Sequence, residues 1–372
     1  MNKLLPMIIG VICVTSTAFA LPQTPALMRG LRPLGMGNAF VAVSDDENAL
    51  FYNPAGLDDV KVDRVEIVNP IFELSTSLIQ IALDLVDSAG NSDDSDADQT
   101  QQIVDLANEH MGQPAYIRLM LSPGYTRRNF AIKVFPGVEA NLDVRNRVFP
   151  NVEFNGKFNF GMGVGYAQGY RDKLLQVGVA LKPVYRIGSG DQVLGIQNIN
   201  SMEETIQSFD NRGFLVGVDV GVKSHWDTLF HMWDVPYLTD IAAYTRPRVG
   251  LVFQSQQFGL TGDVDKDRST VAMGGAMNFD FWNFENIFAL DIRELNQPTS
   301  VWSKVCMGVE SWIGKKRIIG GRIGLNQFRP TIGGTLDLKF FKGDLVAYYE
   351  EVGELTRQKG DLRVGLQATF GW

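Results

Sequence analysis

The chain has 372 residues, 45% of them hydrophobic and 20% charged, with 38 glycines and a mean hydropathy of −0.03. That composition can bury a core, so wholesale disorder is excluded, and it lacks the bulk hydropathy of a helical membrane protein. The 34 Lys and Arg against 42 Asp and Glu leave a net charge of −8, and with Lys315-Lys316-Arg317 as the longest basic run the chain offers nucleic acid no footprint.

Lys3, the apolar run 4–14 and Ala18-Phe19-Ala20 have the order of an export signal, with cleavage expected after Ala20. The alternative is an uncleaved anchor helix, but the run falls short of the ~20 residues that a bilayer needs. Cys13 follows Ile12 rather than a small residue, so a lipid-attachment signal is not indicated. Removal of 1–20 would leave Cys306 alone, and no intramolecular disulfide could form. No later run reaches about 18 consecutive apolar residues, so an exported chain either stays soluble or crosses a membrane as strands.

Residues 34–57 are rich in small and turn-forming types, with Gly35 and Gly37 permitting tight turns and Asn53-Pro54-Ala55-Gly56 favouring another. Between Glu73 and Met111 the period becomes helical: Leu74, Leu78, Ile81, Ala82 and Leu85 form one stripe, and Ile103, Leu106, Ala107 and His110 a second, on either side of the acidic stretch 87–98. A helical hairpin inserted over 73–111 is expected, packed on a barrel mouth or lying in the lipid interface.

From there the chain alternates with period two. Phe158, Phe160, Met162, Val164 and Tyr166 oppose Asn159, Gly161, Gly163 and Gly165; Leu175, Val177, Val179 and Leu181 oppose Gln176, Gly178 and Lys182; Phe214, Val216, Val218, Val220 and Val222 oppose Gly217, Asp219, Gly221 and Lys223. Ile332, Leu336, Leu338 and Phe340 repeat the pattern. It ends with Leu362, Val364, Leu366, Ala368, Phe370 and Trp372 against Asp361, Arg363, Gln367 and Thr369. Such segments number about 14 or 15 between Val65 and Trp372, and since bacterial barrels favour even counts about 14 are expected. Connections alternate in length: 353–360 and 295–303 are long, 342–344 and 314–316 short, 326–330 intermediate. That parity puts 259–268 and 188–211 outside and 224–246 on the periplasmic side, where it is unusually long.

A soluble β-sandwich or lipocalin-like barrel would show the same alternation with its apolar face turned inward. The glycine and charge on the other face, and Tyr166, Tyr185, Trp302, Trp312, Tyr348 and Tyr349 near segment ends as an interfacial girdle, favour the membrane barrel. The fold class expected is all-β, a transmembrane antiparallel β-barrel of about 14 strands.

The stretch from Leu34-Gly35-Met36-Gly37-Asn38-Ala39-Phe40 through Asn53-Pro54-Ala55-Gly56-Leu57, together with the terminal aromatic strand, resembles the FadL-like outer-membrane transport family of long-chain fatty acid and aromatic hydrocarbon channels. PorV-like secretion components and TraF-like proteins open similarly. The resemblance implies an N-terminal hatch inside the barrel, with Gly35, Gly37, Asn53, Pro54, Ala55 and Gly56 as hatch or gating residues. It carries no ligand-binding residue across. It implies a signal peptide over 1–20, a hatch over 21–64 and a barrel over 65–372, in the outer membrane of a Gram-negative bacterium. The expected partners are outer-membrane lipids, a hydrophobic small molecule and the barrel-assembly machinery. The helical insertion keeps a second role open, a barrel scaffold of a secretion or envelope-assembly system with a protein partner.

Other constellations are weaker. Asp94, Asp96 and Asp98, with Asp105 at the twelfth position, approach a calcium loop, but Gln99 replaces the turn glycine, and in the Asp263, Asp265, Asp267 run Arg268 does the same. Both read as solvated acidic loops. His225 and His231 with Asp227 and Asp234 fit no zinc spacing, and with no Gly-x-Ser-x-Gly elbow and three histidines the chain offers little to a hydrolase. Neither catalysis, a metal nor a cofactor is expected.

Overall fold

The protein is described by a computed structural model over residues 27–90, 109, 111–145, 151–189, 192–195, 211–233, 237–262, 264–314, 316–351 and 360–372. The expected signal segment 1–20, the Asp94–Asp98 run and the whole second helical stripe (Ile103, Leu106, Ala107 and His110) lie outside those residues.

Fourteen antiparallel strands form one closed sheet. They are β1 (Arg64–Val68 and Pro70–Ser75), β2 (Ala115–Leu121 and Gly124–Arg127), β3 (Phe130–Arg145), β4 (Asn151–Tyr170), β5 (Leu175–Gly188 and Gln192–Gly195), β6 (Asn211–His225) and β7 (Arg248–Thr261). The second half holds β8 (Thr270–Asn278), β9 (Phe284–Ile292), β10 (Val305–Ile313), β11 (Ile319–Asn326), β12 (Arg329–Asp337), β13 (Phe341–Glu351) and β14 (Gly360–Gly371). Each strand pairs with its neighbours in sequence, and β14 returns to β1 through Leu366 opposite Phe72 and Gly371 opposite Glu66, so the sheet has no edge. At the break in β1, Asn69 takes up polar groups on both sides: its Oδ1 accepts from Gln367 Nε2 (2.8 Å) and Thr369 Oγ1 (3.1 Å), and its backbone carbonyl from the Ser122 N–H (3.0 Å).

The alternation sorts side chains as a membrane barrel requires. Phe158, Phe160, Met162, Val179, Leu181, Val220, Leu345, Leu366 and Phe370 face outward and are exposed, while Arg118, Lys133, Lys182, Lys223, Asp219, Glu310 and Arg322 are buried inside. An outward apolar band over a charged interior is stable only when the outside is lipid, so the chain is a transmembrane β-barrel. Among the described residues no helix is long and apolar enough to cross a membrane.

The two mouths differ. Residues 128–129, 171–174, 279–283, 314 with 316–318, and 338–340 make short turns at the end where β1 begins and β14 finishes. That end also carries the connection whose length stood out in the sequence, and two helices that the sequence reading did not assign occupy it between β6 and β7: α4 (Trp226–Trp233) and α5 (Leu238–Thr245). The long connections, including helix α3 (Thr76–Gly90) after β1, lie at the other mouth. By the habit of bacterial barrels the short-turn mouth is periplasmic.

Four local expectations need correction. Trp312 and Tyr348 are not girdle residues; they share the inward parity of Glu310 and Val346 and are buried in the lumen, where Tyr348 donates to Glu73 (2.5 Å). The short turn is at 338–340, not 342–344, because the Leu338 N–H bonds the Phe341 carbonyl and reverses the chain; Leu338 and Phe340 leave the strand, and Lys342 and Asp344 point inward in β13. The intermediate connection 326–330 shrinks to Gln327 and Phe328. Glu73 and Leu74 belong to β1 rather than to the helix, which starts at Thr76, since Glu73 is held inside the barrel by Arg118 (2.6 Å).

Arginine placed on the lipid face should be costly. Leu345→Arg, near the middle of β13, is expected to lower folding stability in lipid vesicles by about 2–4 kcal/mol, read by urea titration. Gly321→Ala, whose added methyl meets nothing within 4 Å, is expected to move it by less than about 0.5 kcal/mol.

Candidate functional site: the occupied lumen

Residues 27–60 do not precede the barrel; they fill it. Nearly every side chain of this lumenal segment is buried, including Leu31, Leu34, Met36, Phe40, Leu50 and Leu57. The segment crosses from wall to wall. Helix α1 (Leu31–Gly35) packs on β11 to β14, and after α2 (Ala49–Tyr52) a 3₁₀ turn (Pro54–Asp59) packs on β4 to β6, half a circumference away.

At the first wall the contact is backbone on backbone. Gly37 has φ +64°, which a side chain strains, and a Cβ there would collide with the Met307 carbonyl and the Leu325 backbone. Gly308 and Gly324 of β10 and β11 face Met36 and Gly37 just as closely, and Gly35 lies against Gly333. Thr331 Oγ1 accepts from the Gly37 N–H and donates to the Gly35 carbonyl, both at 3.1 Å. On β9 one carboxylate oxygen of Asp291 accepts from the Phe40 (2.7 Å) and Val41 (2.8 Å) N–H groups.

The opposite wall explains Asn53-Pro54-Ala55-Gly56. Asn53 Oδ1 caps the 3₁₀ turn by accepting from the Ala55 N–H (3.1 Å), while its Nδ2 donates to the carbonyls of Val41 (2.9 Å) and Val222 (3.2 Å). Pro54 occupies the first position of the turn, where a missing N–H costs nothing. Gly178 of β5 leaves room for the backbone of Pro54 and Ala55, and Gly56 leaves room for the Ser44 carbonyl. All six residues expected in a hatch therefore lie in the lumen, in two groups on opposite walls.

Ion pairs fasten the segment between these contacts, and the sequence reading did not foresee them. Arg32 forks onto Glu310 (2.8 and 2.5 Å) and also reaches Asp45 and Asp46 (2.7 Å each); Glu310 in turn holds Arg322 (2.6 Å). Arg29 pairs with Glu350 (2.9 Å), and Glu47 with Lys342. At the short-turn mouth Asp59 receives Lys223 (2.8 Å), Lys173 (2.7 Å) and His225 (2.9 Å), while Asp58 receives Asn129 and Gln176 (2.9 Å each). Burial pushes the Asp59 carboxyl up, but Lys223 and the hydrogen bonds from His225 and Lys173 outweigh it and hold it well below the usual carboxylate range. Glu47 is held low in the same way, burial being overcome by Lys342, Arg64 and Lys133. The available signal was parity: Lys182, Asp219, Lys223, Asp291, Glu310 and Arg322 are charges on glycine-bearing strand faces.

Above the segment, toward the long connections, lies a cavity of about 70 Å³. Leu27, Met28 and Phe51 of the segment and Cys306 supply its apolar lining; Gln254, Arg293 and Glu294 are among its polar lining. Arg293 donates to the Asn38 carbonyl (3.3 Å) and lies over the Tyr52 ring. Asp267, expected in a solvated loop, is instead buried and pairs with Arg186 (2.9 Å). Asp263 and Asp234 lie outside the described residues, and among the described ones no group of three His, Cys, Asp or Glu could hold a metal ion.

No family model and no curated protein sequence matches the chain. Among solved structures it is similar to the Pseudomonas putida toluene transporter TodX, at 10% identity over 96% of this chain and 99% of that one, with a TM-score of 0.47. The CymD monoaromatic hydrocarbon channel matches at 11% identity over 93% and 97%, with a TM-score of 0.44. Escherichia coli outer membrane phospholipase A matches at 9% identity over 90% and 98%, with a TM-score of 0.28. The fold of this chain is read from its own strand pairing and burial.

Two substitutions separate the contacts. Gly308→Ala should drive the lumenal segment off the wall and expose it to protease in the folded barrel, whereas Gly275→Ala, whose nearest neighbour is 3.9 Å away, should leave it protected. Because the folded-state Asp59 carboxyl titrates below its unfolded value of about 4, its contribution is complete above that pH and is lost only as the pH falls through the depressed value. The protection of the residue 55–59 amides, taken relative to their intrinsic exchange rate at each pH, should therefore be unchanged from pH 7 to 5. Asp59→Asn, which leaves Lys223 buried without its carboxylate, should accelerate their exchange at pH 7 by an opening cost of up to about 3–5 kcal/mol.

Proposed function

We propose that this protein is a passive channel for hydrophobic small molecules, long-chain fatty acids among them, in the outer membrane of a Gram-negative bacterium, and that residues 27–60 are its hatch. The observation that carries the reading is a transmembrane lumen occupied by a separate chain segment, with a partly apolar cavity above it built from that segment's own Leu27, Met28 and Phe51. The cavity supports a moving hatch by its size. About 70 Å³ is under half of the ~150 Å³ in which a dry engineered cavity holds benzene, so even a single ring passes only if the segment or the overlying connections shift.

The polar fastening fits the same reading. Each ion pair to the wall can be exchanged for water when the segment moves, and apolar packing on the wall is replaced at the first contact by glycine backbone. A ligand that settles on the Phe51 and Met28 side would shift the equilibrium only by the difference in its affinity for the seated and displaced states. Export to the outer membrane, a removed leader over 1–20 and insertion by the assembly machinery belong to this proposal.

The test is uptake by cells expressing the full-length protein, with labelled oleate and labelled toluene as probes. Deletion of 35–57 should change the uptake rate. Cysteines placed at Gly35 and Gly333, whose backbones touch across the first wall, should abolish uptake when oxidised to a cross-link and restore it on reduction. Uptake of both probes that is indifferent to the deletion and to the cross-link overturns the channel reading.

A further inference from the structure

We infer that the α4–α5 pair is a membrane-surface anchor, lying in the lipid interface of the periplasmic leaflet beside the barrel. The pair is not a free excursion of the β6–β7 connection. Thr228 Oγ1 donates to the Asp172 carbonyl in the β4–β5 turn (3.0 Å), and the Trp226 N–H donates to the Pro247 carbonyl (2.9 Å). At the far end Tyr244 donates to the Asp280 carbonyl, and Arg246 pairs with Asp280 (2.8 Å) in the β8–β9 turn. The helices are thus fixed along one arc of the rim, between the turns that flank β5 and β8.

What they present is apolar and unpartnered. Only Ala242 is buried in the two helices. Trp233 is 61% exposed, Tyr237 83% and Ile241 58%, with Met232, Leu238 and Tyr244 also exposed. A soluble face with these side chains would be an aggregation hazard.

The occupant follows from continuity. The outward face of β8 ends in Met277 and Phe279, the adjoining turn stacks Phe281 on Trp282, which is 89% exposed, and β9 resumes outward with Phe284. This belt is the barrel's own lipid contact, and α5 packs on β8 at its margin, so the helix face extends a surface already facing lipid. Aromatic side chains with an apolar body and a polar tip are the types that rest at the headgroup level. The span 226–245 contains Asp227, Asp234 and Asp240 but no Lys or Arg, and the adjoining Arg246 is paired with Asp280, so the contact rests on apolar area rather than on charge.

The experiment uses the full-length barrel carrying Cys13→Ala, Cys306→Ala and either Tyr237→Cys or Ile241→Cys, labelled with an environment-sensitive fluorophore in nanodiscs of mixed phosphatidylcholine and anionic phosphatidylglycerol that contain no other protein. Both labelled positions should show blue-shifted emission relative to the unfolded chain, stronger quenching by nitroxide lipids than by aqueous iodide, and no change between low and high salt. A helix face meant for a protein partner stays in water here; emission at the aqueous position with dominant iodide quenching at both sites overturns the inference, as does lipid contact that disappears at high salt. Uptake by the channel is not part of the readout, so the two readings fail separately.

Discussion

Closure of the sheet between β14 and β1 is the interaction on which the rest depends. In hydrocarbon an unpaired strand edge leaves a row of N–H and C=O groups without partners, each costing several kcal/mol, so fourteen strands are stable only as a ring. Once the ring closes, period two acquires two inequivalent sides. One side must be apolar because it meets lipid; the other is enclosed and can carry charge only where charge is answered. Asn69 shows how closely closure is served, since one side chain at the break in β1 binds Gln367 and Thr369 of the final strand.

The enclosed, charged interior is filled by the lumenal segment, which meets the wall through two different kinds of contact. On the β10 to β12 side the closest fit is steric: Gly308, Gly324 and Gly333 let backbone meet backbone, and the Thr331 hydroxyl ties the Gly35 carbonyl and the Gly37 N–H to the wall. Charge acts beside these contacts and at the opposite wall, with Arg32 shared between the segment's Asp45 and Asp46 and Glu310 of β10, and Asp59 shared among Lys223, Lys173 and His225. Buried pairs of this kind add little net stability over apolar packing, yet they penalise any wrong seating that strands one partner. The arrangement therefore specifies one position for the segment.

Much of this was legible along the chain. The alternation of Phe214 to Val222 and of Leu362 to Phe370 identified strands and their outward faces because lipid demands apolarity at every second position, whatever the neighbours are. The unusual length of 224–246 at the periplasmic mouth was visible by parity, and the structure fills it with α4 and α5. Aromatic type alone misled: Trp312 and Tyr348 look like girdle residues, but parity places them inside, where Tyr348 finds Glu73. Leu74 fitted a helical stripe because a strand and a helix share spacing over so short a run, and the partner that decided it, Arg118 for the neighbouring Glu73, is 45 residues away in the chain.

The sequence by itself determined most of the strands, a count of about 14, which face of most of them meets lipid, and that residues 34–57 are built of small and turn-forming types. These are properties of nearest and next-nearest neighbours, written in every segment independently. Only the tertiary structure decided that this segment crosses the lumen from β12 to β5, that Asp291 seizes the Phe40 and Val41 amides, and which cation answers which carboxylate. Those contacts join residues up to some 300 positions apart, and strands of one parity offer many equivalent charges; the choice among them is made by ring closure and strand register, which no local pattern encodes.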